Sequence, residues 1–280
     1  MEDKQFLTKF ECHHTVNQPG ITVLDCLAEQ TLLSRQQIKQ CLAKGAVWLQ
    51  KGKQQQRLRR VKKPLNTGEQ LHLYYDPQIL AQPVPTATLV ADFKRYSVWD
   101  KPAGMLAQGT FWGDHCSLLR FAEQFFSPVR QSFLVQRLDR EATGLMLIAH
   151  DKQSAARLSE LFQRRQVTKQ YHVTVSGRLN KDTQVINQPL DGKPASTQLK
   201  LLQYDAEKDQ SQLQVSIDTG RKHQIRRHCA AMGYPVVGDS RYGRADPAGL
   251  QLRAVLLAFD CPLTRQRQQF SLIDKALLPA

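Results

Sequence analysis

From Tyr96 onward, short β-type runs succeed one another without a helix between several of them. They are Tyr96 to Trp99, Leu145 to Ala149, Tyr171 to Val175 and Gln212 to Ile217. Parallel strands need a crossover, usually helical, between partners. The succession therefore calls for a mixed, mainly antiparallel sheet and an α+β core with flanking helices. Two segments have helical periodicity: Ser154 to Phe162, with Ala155, Leu158, Leu161 and Phe162 on one side, and His223 to Met232, closed by Gly233.

Before this core, residues 81–87 read AQPVPTA, with two prolines and no charge, and are expected to form a linker. The expected division is a small domain over 12–80, the linker over 81–87 and a large domain over 88–280, long enough to bury an apolar interior unaided. In the small domain, Val23, Leu24, Leu27, Leu32 and Leu33 are spaced as on a helix. A second helix is predicted from the N-cap Ser34 through Ile38, Cys41 and Leu42 to Gly45. A strand from Ala46 to Leu49, a basic loop, a turn at 66–68 and a strand from Gln70 to Tyr75 complete it.

Charge narrows the partner. Lys and Arg outnumber Asp and Glu by 39 to 25, a net charge of +14, which favours a polyanion. The loop KGKQQQRLRRVKK (51–63) holds seven basic residues and no acidic one. With Arg35 and Lys39 on the preceding helix, the cations Lys51, Lys53, Arg57, Arg59, Arg60, Lys62 and Lys63 are expected to form one basic face for nucleic acid. The bland alternative is a solvated hairpin. No apolar run nears the ~18 residues of a membrane-spanning helix. Six cysteines without a CxxC pair read as reduced thiols of a cytoplasmic protein. Cys12-His13-His14 and His228-Cys229 lack the second ligand pair of a zinc site.

The segment QRLDREATGLMLIA (136–149) carries the chemistry. Asp139 either ties a turn together or supplies a reacting carboxylate, held ionised by the flanking Arg137 and Arg140. Such a carboxylate suits nucleophilic attack or proton abstraction, and the second carboxylate of an ordinary glycosidase is not evident.

This segment resembles the signature of the RluA-type pseudouridine synthases, His-Arg-Leu-Asp, two residues, then Thr-Ser-Gly and an apolar strand. Gln136 replaces the His, Ala142 the Thr and Thr143 the Ser. Trp99 to Met105 (WDKPAGM), Lys169-Gln-Tyr171, Thr219 to His228 (TGRKHQIRRH) and Gly233 to Asp239 with Tyr242-Gly243 follow in the family's order. Lys222 stands where the family has Thr, and Leu257 where His is common. The resemblance implies an RNA isomerase with Asp139 catalytic, and with Arg137, Tyr171 and Arg226 at the uridine pocket. Arg226 is expected to pair with Asp139. Gly220 is read as freeing a tight turn before the helix, where Arg221 and Lys222 hold RNA phosphate. The N-terminal pattern resembles the small RNA-binding domain that an S-four-type ribosomal protein shares with many RNA-modifying enzymes. The implied partner is structured ribosomal or transfer RNA, with no cofactor, metal, membrane or protein partner, and the chain is expected to be a monomer. The competing reading is a non-catalytic RNA-binding or assembly factor on the same fold.

Overall fold

The computed structural model describes residues 8–273, which fall into two compact units. The first comprises residues up to Val84 together with Gln108–Phe121. The second comprises Pro85–Ala107 and everything after Phe121. The segment 108–121, expected to belong wholly to the large domain, thus groups with the N-terminal residues.

In the first unit the elements are β1 (Phe10–Thr15), α1 (Val23–Gln30), α2 (Arg35–Ala43), β2 (Val47–Lys51), β3 (Gln54–Arg57), β4 (Gln70–Tyr75) and α3 (Pro77–Leu80). The strands form one sheet in the order β1-β4-β2-β3, all pairs antiparallel. Ser34 starts α2 through a capping box: its hydroxyl accepts from Gln37 N (3.3 Å) and Gln37 Oε1 accepts from Ser34 N (2.8 Å). Val23, Leu27, Ile38 and Leu42 pack on Val47, Leu49, Leu71 and Leu73, all fully buried. The basic loop is partly ordered as β3, which pairs Trp48 with Arg57 and Lys51 with Gln54. Strand β1 has no counterpart in the sequence reading, because Glu11, Cys12, His13 and His14 mask its alternation.

The later elements are β5 (Thr88–Asp92), β6 (Tyr96–Lys101), α4 (Leu118–Phe125), β7 (Phe133–Leu134), β8 (Thr143–Ala149), α5 (Lys152–Gln163), β9 (Thr168–Ser176), β10 (Thr183–Ile186), β11 (Thr197–Asp205), β12 (Gln210–Ile217), α6 (Gln224–Ala231), β13 (Leu252–Asp260) and β14 (Arg267–Ser271). The large sheet runs β10-β11-β12-β9-β13-β8-β6-β5, with β14 on β13 and β7 on β8. Every pair is antiparallel except β8 with β13, so the sheet is mixed, as the succession of strands demands. Gly144 makes the parallel pair possible. It has φ +108°, and a Cβ there would strike the Ala254 backbone. Leu158 of α5 packs with Tyr96, Val98, Leu145, Leu147, Leu257 and Phe259 in the main core. All six cysteines are free thiols, and no helix among the described residues is long and apolar enough to cross a membrane.

Candidate active site

Asp139 sits in the turn that leads into β8, and that turn is fastened from behind. Lys101, fully buried at the end of β6, donates from Nζ to Pro102 O (2.9 Å), Met105 O (2.9 Å) and Arg140 O (3.2 Å). Gly104 N donates to Arg140 O (2.9 Å), and Arg140 Nε returns a bond to Gly104 O (3.1 Å). Three carbonyls around one ammonium satisfy a buried charge that would otherwise be costly. Burial pushes Lys101 down to about 8, against the pull of Glu141, Asp139 and Asp100.

The cation bonded to Asp139 comes from α6, not from the neighbouring residues in sequence. Arg226 Nη1 donates to Asp139 Oδ2 at 3.1 Å. The rest of that guanidinium is gripped by Asp239: Nε to Oδ2 at 2.7 Å and Nη2 to Oδ1 at 2.8 Å. Asp239 is itself buried and also accepts from Arg241 N (3.0 Å) and Tyr242 N (3.1 Å). Burial alone would raise the Asp239 carboxyl, but Arg226 and the two amides outweigh it and hold it below the ordinary range. The Asp239 bonds, with help from Asp139, hold the buried Arg226 protonated. One cation thus lies between two carboxylates, of which only Asp139 reaches open space.

Helix α6 is positioned from within. The buried Gln224 side chain accepts from Thr219 Oγ1 (2.7 Å) and Arg221 N (3.1 Å) and donates to Ser196 O (2.9 Å). The left-handed residue of the entering turn is His223 (φ +54°) rather than Gly220, whose surroundings are open. Its turn points the imidazole into the site. Nδ1 lies 3.0 Å from Tyr242 Oη, and Nε2 lies 3.8 Å from Asp139 Oδ1. Burial pushes His223 down; Asp139 opposes this, while Arg226, Arg241 and Lys222 reinforce it, so the ring is neutral at pH 7. The sequence reading assigned no role to His223 or Asp239. The signal for each was its place in a family-like stretch, Thr219 to His228 for His223 and Gly233 to Asp239 for Asp239.

A cavity of about 90 Å³ opens over this group, lined by Arg137, Asp139, Tyr171, Arg221, His223 and Arg226 with the apolar Leu138, Ile217, Ile225 and Leu252. Tyr171 is almost fully buried; burial first, and then the Asp139 charge, push its phenol up, so it remains neutral. Arg221 donates from Nε to Pro194 O (3.1 Å), and Lys222 is exposed. Arg137 and Asp139 therefore meet the sequence-distant Tyr171 and Arg226 at one cavity.

The N-terminal cations are divided. Arg57 and Arg59 do not join an exposed basic face, which corrects the expectation for those two. Arg59 Nη2 bonds Asp114 Oδ2 (2.5 Å) and Arg57 Nε lies 3.3 Å from the same oxygen. Arg57 also donates to Gly45 O and Thr110 O, and Arg59 to Ala43 O. The physical reason is that Asp114, in the segment 108–121, supplies the countercharge. Arg35 pairs with Asp25 (2.8 Å), Lys51 with Glu69 (2.5 Å), and Lys63 lies 3.9 Å from Glu69. Lys39, Lys53, Arg60 and Lys62 are exposed. Among the described residues no three His, Cys, Asp or Glu side chains are grouped to hold a metal ion.

The family model "RNA pseudouridylate synthase" matches residues 95–231. A Chloroflexus aurantiacus protein named "Uncharacterized RNA pseudouridine synthase" is 32% identical over 241 residues, covering 75% of this chain and 71% of that protein. The ribosomal large subunit pseudouridine synthase D of Nitrosomonas europaea is 33% identical over 185 residues, covering 60% of this chain and 52% of its own. In structure, human RNA Pseudouridylate Synthase Domain Containing 1 shares the fold, with TM-score 0.58 at 23% identity over 69% of this chain and 86% of that one. With a relative of that identity and coverage, and with Asp139 held at the mouth of a cavity by Arg226, the chain belongs to the RNA pseudouridine synthase family, a family of RNA isomerases.

Proposed function

We propose that the chain isomerises selected uridines of large-subunit ribosomal RNA, with Asp139 as the reacting carboxylate. The observation that carries this reading is the bond from Arg226 to Asp139 beside the Tyr171 wall. Pseudouridine formation breaks the base–sugar nitrogen bond and remakes it as a carbon bond. An ionised carboxylate serves either by attacking the anomeric carbon or by taking the neighbouring sugar proton. Arg226 aims Asp139 through its 3.1 Å bond, while Asp239 keeps Arg226 from swinging away. A paired base cannot enter so small a cavity, so the target leaves its stack, at a cost of roughly a few kcal/mol. Stacking against Tyr171 recovers on the order of 1–3 kcal/mol. Arg137, Arg221 and Lys222 meet the flanking backbone.

The named relatives that are ribosomal large subunit synthases favour ribosomal over transfer RNA as substrate. The N-terminal unit acts as a small RNA-binding domain of the S-four type, contacting RNA through Lys39, Lys53, Arg60 and Lys62. In this reading the enzyme works as a monomer without a protein partner. Six free thiols suit the cytoplasm. The test is incubation of purified protein with unmodified ribosomal and transfer RNA, followed by chemical mapping of pseudouridine. New pseudouridine in large-subunit RNA is expected; binding without product in either RNA would instead favour an assembly factor.

A further inference from the structure

A second cavity, of about 530 Å³, adjoins the first and shares Arg137, Tyr171, Ile217, Gly220 and Arg221 with it. Its volume falls within the range of ordinary ligand sites. Four cations line it (Arg137, Arg165, Lys169 and Arg221) against a single carboxylate, Asp218. Neither Arg165 nor Lys169 has a carboxylate within salt-bridge distance among the described residues. Charges left unpaired at a cavity next to a reacting centre suit an anionic ligand.

Arg165 carries a second mark. It follows α5 as the left-handed closing residue, at φ +60°, with its N–H on Phe162 O (3.2 Å) and Gln166 N on Leu161 O (2.8 Å). Glycine takes that position at least cost. An arginine there bears backbone strain, and its side chain lines the cavity. Lys169 stands opposite on β9, half-buried, its charge disfavoured by burial and by Arg165 and favoured by Asp218. Phe162 supplies an apolar wall.

The geometry points to this second cavity as the seat of the nucleotide adjoining the target uridine, with Arg165 and Lys169 holding its phosphate. The inference rests on the isomerase reading and adds the step of backbone anchoring. A flipped base remains mobile about its own phosphates unless one of them is held. Two cations on the connecting phosphate hold the neighbouring nucleotide and so keep the flipped uridine at the cavity.

The test uses the full chain with an unmodified transcript of large-subunit ribosomal RNA, and compares Lys169→Gln, Arg165→Gln and the control Arg164→Gln. Arg164 pairs with Glu160 (2.7 Å) and is not a lining residue of the cavity. Each test variant should raise KM about tenfold with kcat within about threefold, as expected for loss of one charged hydrogen bond. Each should also lower the slope of log affinity against log salt by about one, and Arg164→Gln should do neither. Unchanged KM and salt slope in both test variants, or a fall in kcat alone, overturns the inference. If Lys169→Gln fails to fold, the exposed Arg165→Gln decides. Equilibrium binding is read whether or not product forms. Absence of product from the unaltered chain therefore counts against the isomerase reading, and an unchanged salt slope against this one.

Discussion

Each unit contains an arginine–aspartate cluster, and the two are built in opposite proportions. In the N-terminal unit one aspartate, Asp114, is shared by two guanidiniums, Arg57 and Arg59. In the second, one guanidinium, Arg226, is shared by two aspartates, Asp139 and Asp239. The first cluster is closed: the Asp114 side chain is 13% exposed, and both arginines spend other donors on backbone carbonyls. The second is open: Asp239 is fully buried, but Asp139 is 27% exposed and faces a cavity. A cluster with its donors consumed fastens chain segments together. A cluster with one carboxylate at a cavity can react. In the proposed reading, which aspartate does chemistry is decided by where the surplus charge points.

The strongest way to break the comparison is Asp139→Asn, which keeps shape but removes the charge proposed to react. Product formation under single-turnover conditions should fall below detection, on the order of 10⁴-fold. Folding should survive, and RNA affinity should hold or tighten, since a repulsion against phosphate disappears. Appreciable turnover would mean that the open cluster is not the reacting one.

Next comes Asp239→Asn, which leaves Arg226 buried with only Asp139 beside it. Unfolding in urea should show a loss of about 3 kcal/mol, and the single-turnover rate should drop about 100-fold as Arg226 loses its grip. The sign with pH follows from the Asp239 carboxyl, held below its ordinary value of 3.8. The stability it contributes is full above that value and is lost as pH falls through the lower folded-state value. The variant should therefore lose less stability on acidification below about pH 4 than the unaltered chain. A variant with the same acid limb would mean that Asp239 is not linked to folding.

Asp114→Asn sharpens the other side. Removing the shared countercharge should destabilise the N-terminal unit by about 1–3 kcal/mol, read by hydrogen exchange over 8–84 and 108–121. The rate at saturating RNA should stay within about twofold. A large fall in that rate would show that the closed cluster also serves the reaction. The smallest effect is expected from Gln136→His, which restores the family residue. Gln136 donates to Leu145 O (3.3 Å), a bond that an imidazole can also make. The rate should change by less than about tenfold, or ~1.4 kcal/mol in barrier.

Where structure follows from near neighbours, it was legible. Ser34 and Gln37 announce the start of α2, and the apolar spacing of Ala155, Leu158, Leu161 and Phe162 announces α5. Strand β3 was not legible, because Gln54, Gln55 and Gln56 have no apolar alternation and the strand forms by pairing with β2. The grouping of 108–121 with the N-terminal unit was equally hidden, since nothing adjacent to Asp114 in sequence indicates two arginines more than fifty residues earlier. A fragment starting at Pro85 would carry that segment stripped of its partners, so deletion of the N-terminal unit must remove both stretches.

For the site, the sequence by itself determined the residue types and their order: Asp139 ahead of an apolar strand, Tyr171 in a later strand, Arg226 on a basic helix. It also determined that Gly144 precedes the apolar run of β8, where only a residue without a Cβ lets β13 lie alongside. The resemblance paired Arg226 with Asp139, and the structure makes that bond; tertiary structure alone decided that Asp239 anchors Arg226 from its other side. The flanking arginines were the nearest in sequence, yet the bond comes from Arg226, anchored by Asp239 and brought across by the sheet. It alone decided that Arg57 and Arg59 turn inward while Lys53 and Arg60 stay at the surface. The physical reason is common to both cases. Propensity and capping act over a few residues, whereas a charge pairs with whatever countercharge the fold delivers within a few ångströms.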